Sequence, residues 1–174
     1  ARVESWNNAI GACKESIQNA ISKDTDTRAY ADPQAIVAAL PDERLQICAV
    51  MQLDHGLRIA DATKIDTKNL SADGILTVPN SKNGQTLTVQ LSPAEAQKIR
   101  DHADDNGKIS VKQSEYRTAI EKACISTGQA FTGTHGLRHN YAQGRMSDLV
   151  DQGKDYHTAL QIVSDEMGHH RPDI

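Results

Sequence analysis

Residues 134–143 read THGLRHNYAQ, and they place His135, Arg138 and His139 within about one helical turn. At that spacing His135 and Arg138 face the same point. Three cationic or proton-carrying groups crowded together repel one another unless an anion sits among them. An arginine fork beside imidazoles matches the oxygens of a phosphate, so a phosphate-binding site is the economical explanation. The plainer reading, one satisfied core histidine on a polar helix start, explains less of the pattern. Thr134 is the expected N-cap of a helix running from His135.

Working outward, the pattern recurs. Near the C-terminus, residues 166–173 (EMGHHRPD) offer His169 and His170 after a glycine suited to end a helix, with Arg171 beside them. Upstream, residues 55–66 (HGLRIADATKID) put Arg58 just past an apolar helix, with Asp61 three residues on, close enough to hold the guanidinium in one orientation. Taken singly, such a pair reads as a surface ion pair of little energetic value. Between these lies a hairpin signal. The turn SADG (71–74), the short strand ILTVP (75–79) and the turn SKNG (81–84) precede Leu87, Val89 and Leu91, which alternate with polar residues. Lys82 falls at the hairpin tip, where a lysine is ordinarily a solvated residue.

The remaining chain is helical in pattern. Val3, Trp6, Ile10, Cys13, Ile17 and Ala20 form one stripe at steps of three and four, followed by a polar stretch, 22–33, that reads as a linker with a boundary near residue 30. Asp32 and Pro33 open a short helix that stops at Pro41, and residues 45–53 (LQICAVMQL) are apolar on nearly all sides, as in a central core helix. Ser92 and Pro93 start another helix. Tyr116, Ala119, Ile120 and Ala123 mark the next, and Tyr156, Ala159, Leu160, Val163 and Met167 the last. The fold class expected is mainly α with one small antiparallel β-sheet, an α+β domain.

Composition narrows the class less than the motifs do. Asp and Glu (23) outnumber Lys and Arg (19), giving a net charge of −4, whereas a protein that grips DNA through phosphates usually carries a basic excess. Aromatics at 3% argue against base stacking as a recognition mode. Any contact with nucleic acid must rest on the local constellation. Cys13, Cys48 and Cys124 each lie among apolar residues, which favours buried reduced thiols. With no bilayer-length apolar run and no secretory pattern, a cytoplasmic location without membrane contact is expected.

In order and spacing these segments resemble the catalytic domain of the tyrosine recombinases, the phage integrase family, from about Asp32 to Ile174. Residues 55–66 are similar to the family's first box, with Arg58 as the first catalytic arginine and Asp61 as its acidic support. Residues 78–92 resemble the hairpin whose turn carries the catalytic lysine, here Lys82. THGLRHNYAQ matches the second box, giving His135 and Arg138. EMGHHRP (166–172) matches the third, with Met167 in place of the usual leucine and His169 as its histidine. His139 and His170 fall beside these as supporting residues. The resemblance implies site-specific DNA recombination by strand cleavage and rejoining through a 3′-phosphotyrosyl link, on double-stranded recombination sites, in a homotetrameric synaptic complex, with no metal and no cofactor. Arg58, Arg138 and His169 would bind the non-bridging oxygens, Lys82 would protonate the departing 5′-oxygen, and His135 would accept or orient the nucleophile's proton.

The sequence departs from the family in one respect. The family's tyrosine lies about two to three helical turns beyond the third-box histidine, and Ile174 comes five residues after His169. Tyr30, Tyr116, Tyr141 and Tyr156 each have a structural reading. Residues 1–30 are thus expected to be the remnant of a separate DNA-clamping domain, and 31–174 a catalytic domain ending before its nucleophile, inactive for cleavage alone. Two other classes stay open: a non-catalytic DNA-binding module of the same fold, and a zinc protein using His135, His139, His169 and His170. Against the zinc reading, the glutamate that follows the first histidine in zinc proteases is replaced by Gly136.

Overall fold

The computed structural model describes residues 28–81 and 84–168. The amphipathic stripe from Val3 to Ala20 and the hairpin-tip Lys82 lie outside the described residues, as do His169 and His170.

Asp32 accepts from the amide of Ala35 and Pro33 takes the first position of α1 (Pro33–Ala38). Asp42 caps α2 (Glu43–Leu53) by accepting from Arg44 and Leu45. Such caps are each worth about 1 kcal/mol, so both starts are written in the local sequence. Helix α2 is buried on several sides, with Leu45, Ile47, Cys48, Ala49, Met51 and Gln52 all inside. A short α3 (Ile59–Ala62) leads into β1 (Lys64–Asp66). The hairpin of β2 (Ile75–Ser81) and β3 (Gln85–Gln90) follows. Helix α4 (Pro93–His102) opens with a full capping box between Ser92 and Glu95. Then come β4 (Lys108–Ser110), α5 (Gln113–Ser126), α6 (Gly136–Asp151) and α7 (Tyr156–Glu166).

Among the described residues the single sheet expected from the sequence is two. Besides the hairpin, β1 pairs antiparallel with β4, Ile65 opposite Ile109. Strands of three residues contain too few alternations to stand out from their flanks, and only the tertiary pairing defines them. The large core joins α2, α5 and the start of α6 through Met51, Leu57, Tyr116, Ile120 and Leu137. Inside it the Tyr116 hydroxyl donates to Gln52 Oε1 at 2.7 Å, so the one buried amide side chain of α2 is satisfied from α5. Leu149, Ala159, Val163 and Met167 form a satellite cluster between α6 and α7.

Three local expectations change. Tyr30, placed in the linker by its polar neighbours, is a core residue at 4% exposure; its hydroxyl donates to the Gly133 carbonyl and its backbone exchanges two hydrogen bonds with the Asn140 amide. Thr134 is not the cap of α6: His135 occupies that position, without a side-chain cap bond. The stripe of α7 is carried by Ala159 and Val163, with Met167 at the C-cap, while Tyr156 is 43% exposed and Leu160 half-buried. Cys48 and Cys124 are buried free thiols, as the apolar spacing implied.

Candidate active site

Arg58 stands at the junction between α2 and α3, in extended conformation, where Gly56 has turned the chain. Gly56 sits at φ +63, and a Cβ there would lie 2.5 Å from the ring of Tyr141. Only glycine fits both the left-handed backbone and that close approach. The turn leaves the Gly56 carbonyl as an acceptor for Arg138 Nη1. Arg138, on the first turn of α6, is 4% exposed, and its Nη2 donates to the Met167 carbonyl at 2.7 Å. A buried guanidinium needs such partners, since desolvation without them costs several kcal/mol.

The next carbonyl along serves the other arginine. Arg58 Nη2 donates to the Gly168 carbonyl at 2.9 Å. Two consecutive residues at the end of α7 therefore bind the two guanidiniums, which fixes them side by side although Arg58 and Arg138 are 80 residues apart. Gly168 is itself left-handed (φ +65), and a Cβ would meet Leu87 Cδ2 at 2.9 Å and Arg58 Nη1 at 3.5 Å. The glycine expected to end the last helix does so, and it also lets that end approach the hairpin and the arginine.

Asp61 does not grip Arg58 directly. Ser81 stands between them: its hydroxyl accepts from Arg58 Nη1 at 3.1 Å and donates to Asp61 Oδ2 at 2.8 Å. Sequence reasoning gave Ser81 no role. Its signal was faint, a small hydroxyl residue next to Lys82 in the quoted turn, and strand alternation alone does not point it inward.

The electrostatics fit the geometry. Burial, then the nearby Arg58, lowers the Arg138 guanidinium to about 10. His135 is held below the usual histidine range, first by desolvation and then by Arg138 and Arg58. His139, one turn along α6, is lowered by burial and then by Arg28, His135 and Arg138. Two guanidiniums and two imidazoles are thus gathered in one place in a chain of net charge −4. The structure brings together Arg58, Asp61, His135 and Arg138, with His139 beside them. Lys82, His169 and His170 lie outside the described residues, though Lys82 directly follows Ser81 and His169 directly follows Gly168.

Tyr30, Tyr116 and Tyr141 have hydrogen-bond partners, while Tyr156 is exposed and its ring meets His157 edge-on at 6.0 Å. Tyr141 donates to Glu166 Oε2 at 2.8 Å, and Glu166 is also gripped by Arg145 at 2.8 Å. Burial and that carboxylate push the Tyr141 phenol well up, which opposes its use as a nucleophile. Tyr116 and Tyr30 donate to Gln52 and Gly133. Among the described residues no group of three or more His, Cys, Asp or Glu is arranged to hold a metal, and no helix is long and apolar enough to cross a membrane.

The same architecture occurs in solved structures. The catalytic domain of bacteriophage HP1 integrase superposes with a TM-score of 0.62 at 18% identity, over 82% of this chain and 79% of that one. The chain has the tyrosine-recombinase catalytic-domain fold. An integrase from mycobacterium phage Brujita matches at 0.57 and 21% identity, over 78% of this chain and 46% of that one. A lambda integrase dimer bound to a COC′ core site matches at 0.63 and 18%, over 83% and 45%. This chain therefore spans about half the length of the latter two. No protein-family model and no curated protein matches the sequence.

Proposed function

We propose that this domain cleaves and rejoins DNA in site-specific recombination, using a tyrosine beyond Ile174 as nucleophile. The observation that carries the reading is the pair of guanidiniums held side by side by consecutive carbonyls, with a neutral-leaning imidazole next to them. In phosphoryl transfer, negative charge on the non-bridging oxygens is stabilised by donors fixed beforehand. Arg58 and Arg138 bind those oxygens, joined by His169. His135, kept deprotonated at neutral pH, accepts or orients the proton of the attacking phenol. Lys82 protonates the 5′-oxygen as it leaves. The phosphotyrosyl bond conserves the energy that the second transfer needs, so strands can be rejoined. Double-stranded recombination sites are the substrate, a homotetramer the synaptic assembly, and the cell interior the place of action.

The test is covalent trapping on nicked suicide DNA substrates taken from the sequence flanking the protein's own gene. The chain extended by its natural downstream residues is expected to form a detergent-resistant adduct, and the chain ending at Ile174 none. Changing the downstream tyrosine to Phe should abolish the adduct with DNA affinity nearly unchanged. An adduct mapped to Tyr141 or Tyr156 overturns the assignment.

A further inference from the structure

The reaction above uses side chains that meet the phosphate and leaves Ser81 without a task, yet the hairpin is distorted to deliver it. Residues 75 to 78 of β2 pair with 90 to 87 of β3 in regular register, whereas Ser81 pairs with Gln85, one residue out of step. The extra residue is accommodated at Pro79–Asn80, where Asn80 takes the left-handed φ of +53. Asn80 is the one residue other than glycine with positive φ among those described. Such a bulge reverses the facing of everything after it. Leu76 points inward and Ile75 outward, so unbroken alternation would turn Ser81 outward with Ile75, Thr77 and Pro79. The bulge instead puts it on the face shared by Gln85 and Leu87. Ser81 is consequently 3% exposed.

The contacts at that buried end have a fixed polarity. The Asp61 carboxylate only accepts, so the Ser81 proton goes to Asp61 Oδ2 at 2.8 Å, and an oxygen lone pair is left to receive Arg58 Nη1 at 3.1 Å. With Gly168 on Nη2, both terminal nitrogens of Arg58 are tied. The carboxylate polarises the hydroxyl and strengthens its hold on the guanidinium without itself contacting the cation.

We propose that Ser81 is a positioning residue, whose bulge-delivered hydroxyl fixes the Arg58 guanidinium for the phosphate while holding Asp61 one atom away from it. The inference rests on the phosphoryl-transfer reading, and its test has arms that separate the two. Arg58 is observed through the side-chain NMR signals of protein labelled with ¹⁵N-arginine. In wild type its two terminal nitrogens are held by different partners and give resolved signals. In Ser81→Ala they average, and in Ser81→Thr, which keeps the hydroxyl, they stay resolved. Single-turnover adduct formation by the extended chain falls about tenfold or more in Ser81→Ala, the scale of a hydrogen bond to a charged group, with DNA affinity little changed and Ser81→Thr restoring most of the rate. If the alanine variant loses its fold, Ser81→Cys fills the site with a much weaker donor and takes its place. Resolved Arg58 signals in Ser81→Ala, or adduct formation at the wild-type rate, overturn the proposal. If wild type forms no adduct, the recombination reading fails. Titration with inorganic phosphate then decides Ser81 alone: weaker binding by Ser81→Ala supports its role, and equal binding refutes it.

Discussion

Replacing Gly168 by Ala tests the packing that joins the end of α7 to the hairpin and to Arg58. Two costs add. The φ of +65 is left-handed, where an L side chain costs about 1–2 kcal/mol. The new Cβ would stand 2.9 Å and 3.3 Å from the two methyls of Leu87, closer than ordinary contact, and forcing a buried leucine off its rotamer costs about 1 kcal/mol or more. Gly153 is the control: it too is left-handed, at φ +84, but a Cβ there meets nothing within 4 Å. Gly153→Ala should therefore lose about 1–2 kcal/mol and Gly168→Ala about 2–3 kcal/mol, each kcal/mol lowering Tm by roughly 2–4 °C in a domain of this size. The assay is urea unfolding of both variants beside wild type, with inorganic phosphate titrated into each. Only Gly168→Ala should bind phosphate more weakly, because relief of the Leu87 clash shifts the carbonyl that holds Arg58. Equal stability loss and equal phosphate binding in the two variants would refute the packing argument.

Other expectations can be checked in parallel. Arg138→Ala should destabilise the fold by on the order of 2 kcal/mol, since it strips the donor from the carbonyls of Gly56 and Met167; half-buried Arg58→Ala should cost less, by calorimetry. In the extended chain each arginine variant should lose about 10²–10³ in cleavage rate, and a wild-type rate in either removes it from the site. His135 and His139 both have lowered pKa values, so the stability they contribute is full above about pH 6.5 and is lost as pH falls through their depressed values. Unfolding midpoints should drop on acidification, less so with phosphate present, and a His135→Gln/His139→Gln variant should flatten the profile. Lys82→Ala should cleave normal DNA slowly and be rescued by a 5′-bridging sulfur, a leaving group that needs no proton; an equal defect on both substrates assigns Lys82 to binding or structure.

Helix starts were legible where a capping side chain stands directly before a proline, as with Asp32 and Ser92. The grouping of His135 with Arg138 was legible because they fall within one helical turn, whereas Arg58, flanked by Leu57 and Ile59, joined them only through the family resemblance. The unreadable parts depend on distant contacts. Tyr30 has polar neighbours in sequence and a buried site made by Gly133 and Asn140, more than 100 residues away. The β1–β4 pair is made by partners 44 residues apart, Ile65 and Ile109. Ser81 escaped because SKNG reads as a turn, whereas β2 runs on through Ser81 and the left-handed Asn80 before it turns its side chain inward.

The choice of partners explains how two arginines can share a site and still serve an anion. A carboxylate in direct contact with a guanidinium satisfies its N–H groups and also cancels its charge, so an incoming phosphate must displace it. Carbonyl and hydroxyl oxygens satisfy the same donors while leaving the positive charge in place. Arg58 is held in this second way, by Gly168 and Ser81, with no carboxylate in ion-pair range among the described residues. Arg138 takes the carbonyls of Gly56 and Met167. Asp61 supplies negative charge one hydroxyl further out, near enough to favour the charged form of Arg138. Burial first, and then the mutual repulsion of the cations, lowers Arg138 and His135, and an anion bound between them would relieve the repulsion. The fold meets this cost through its buried core, which rigidly sets the turn at Gly56 against the helix end at Gly168.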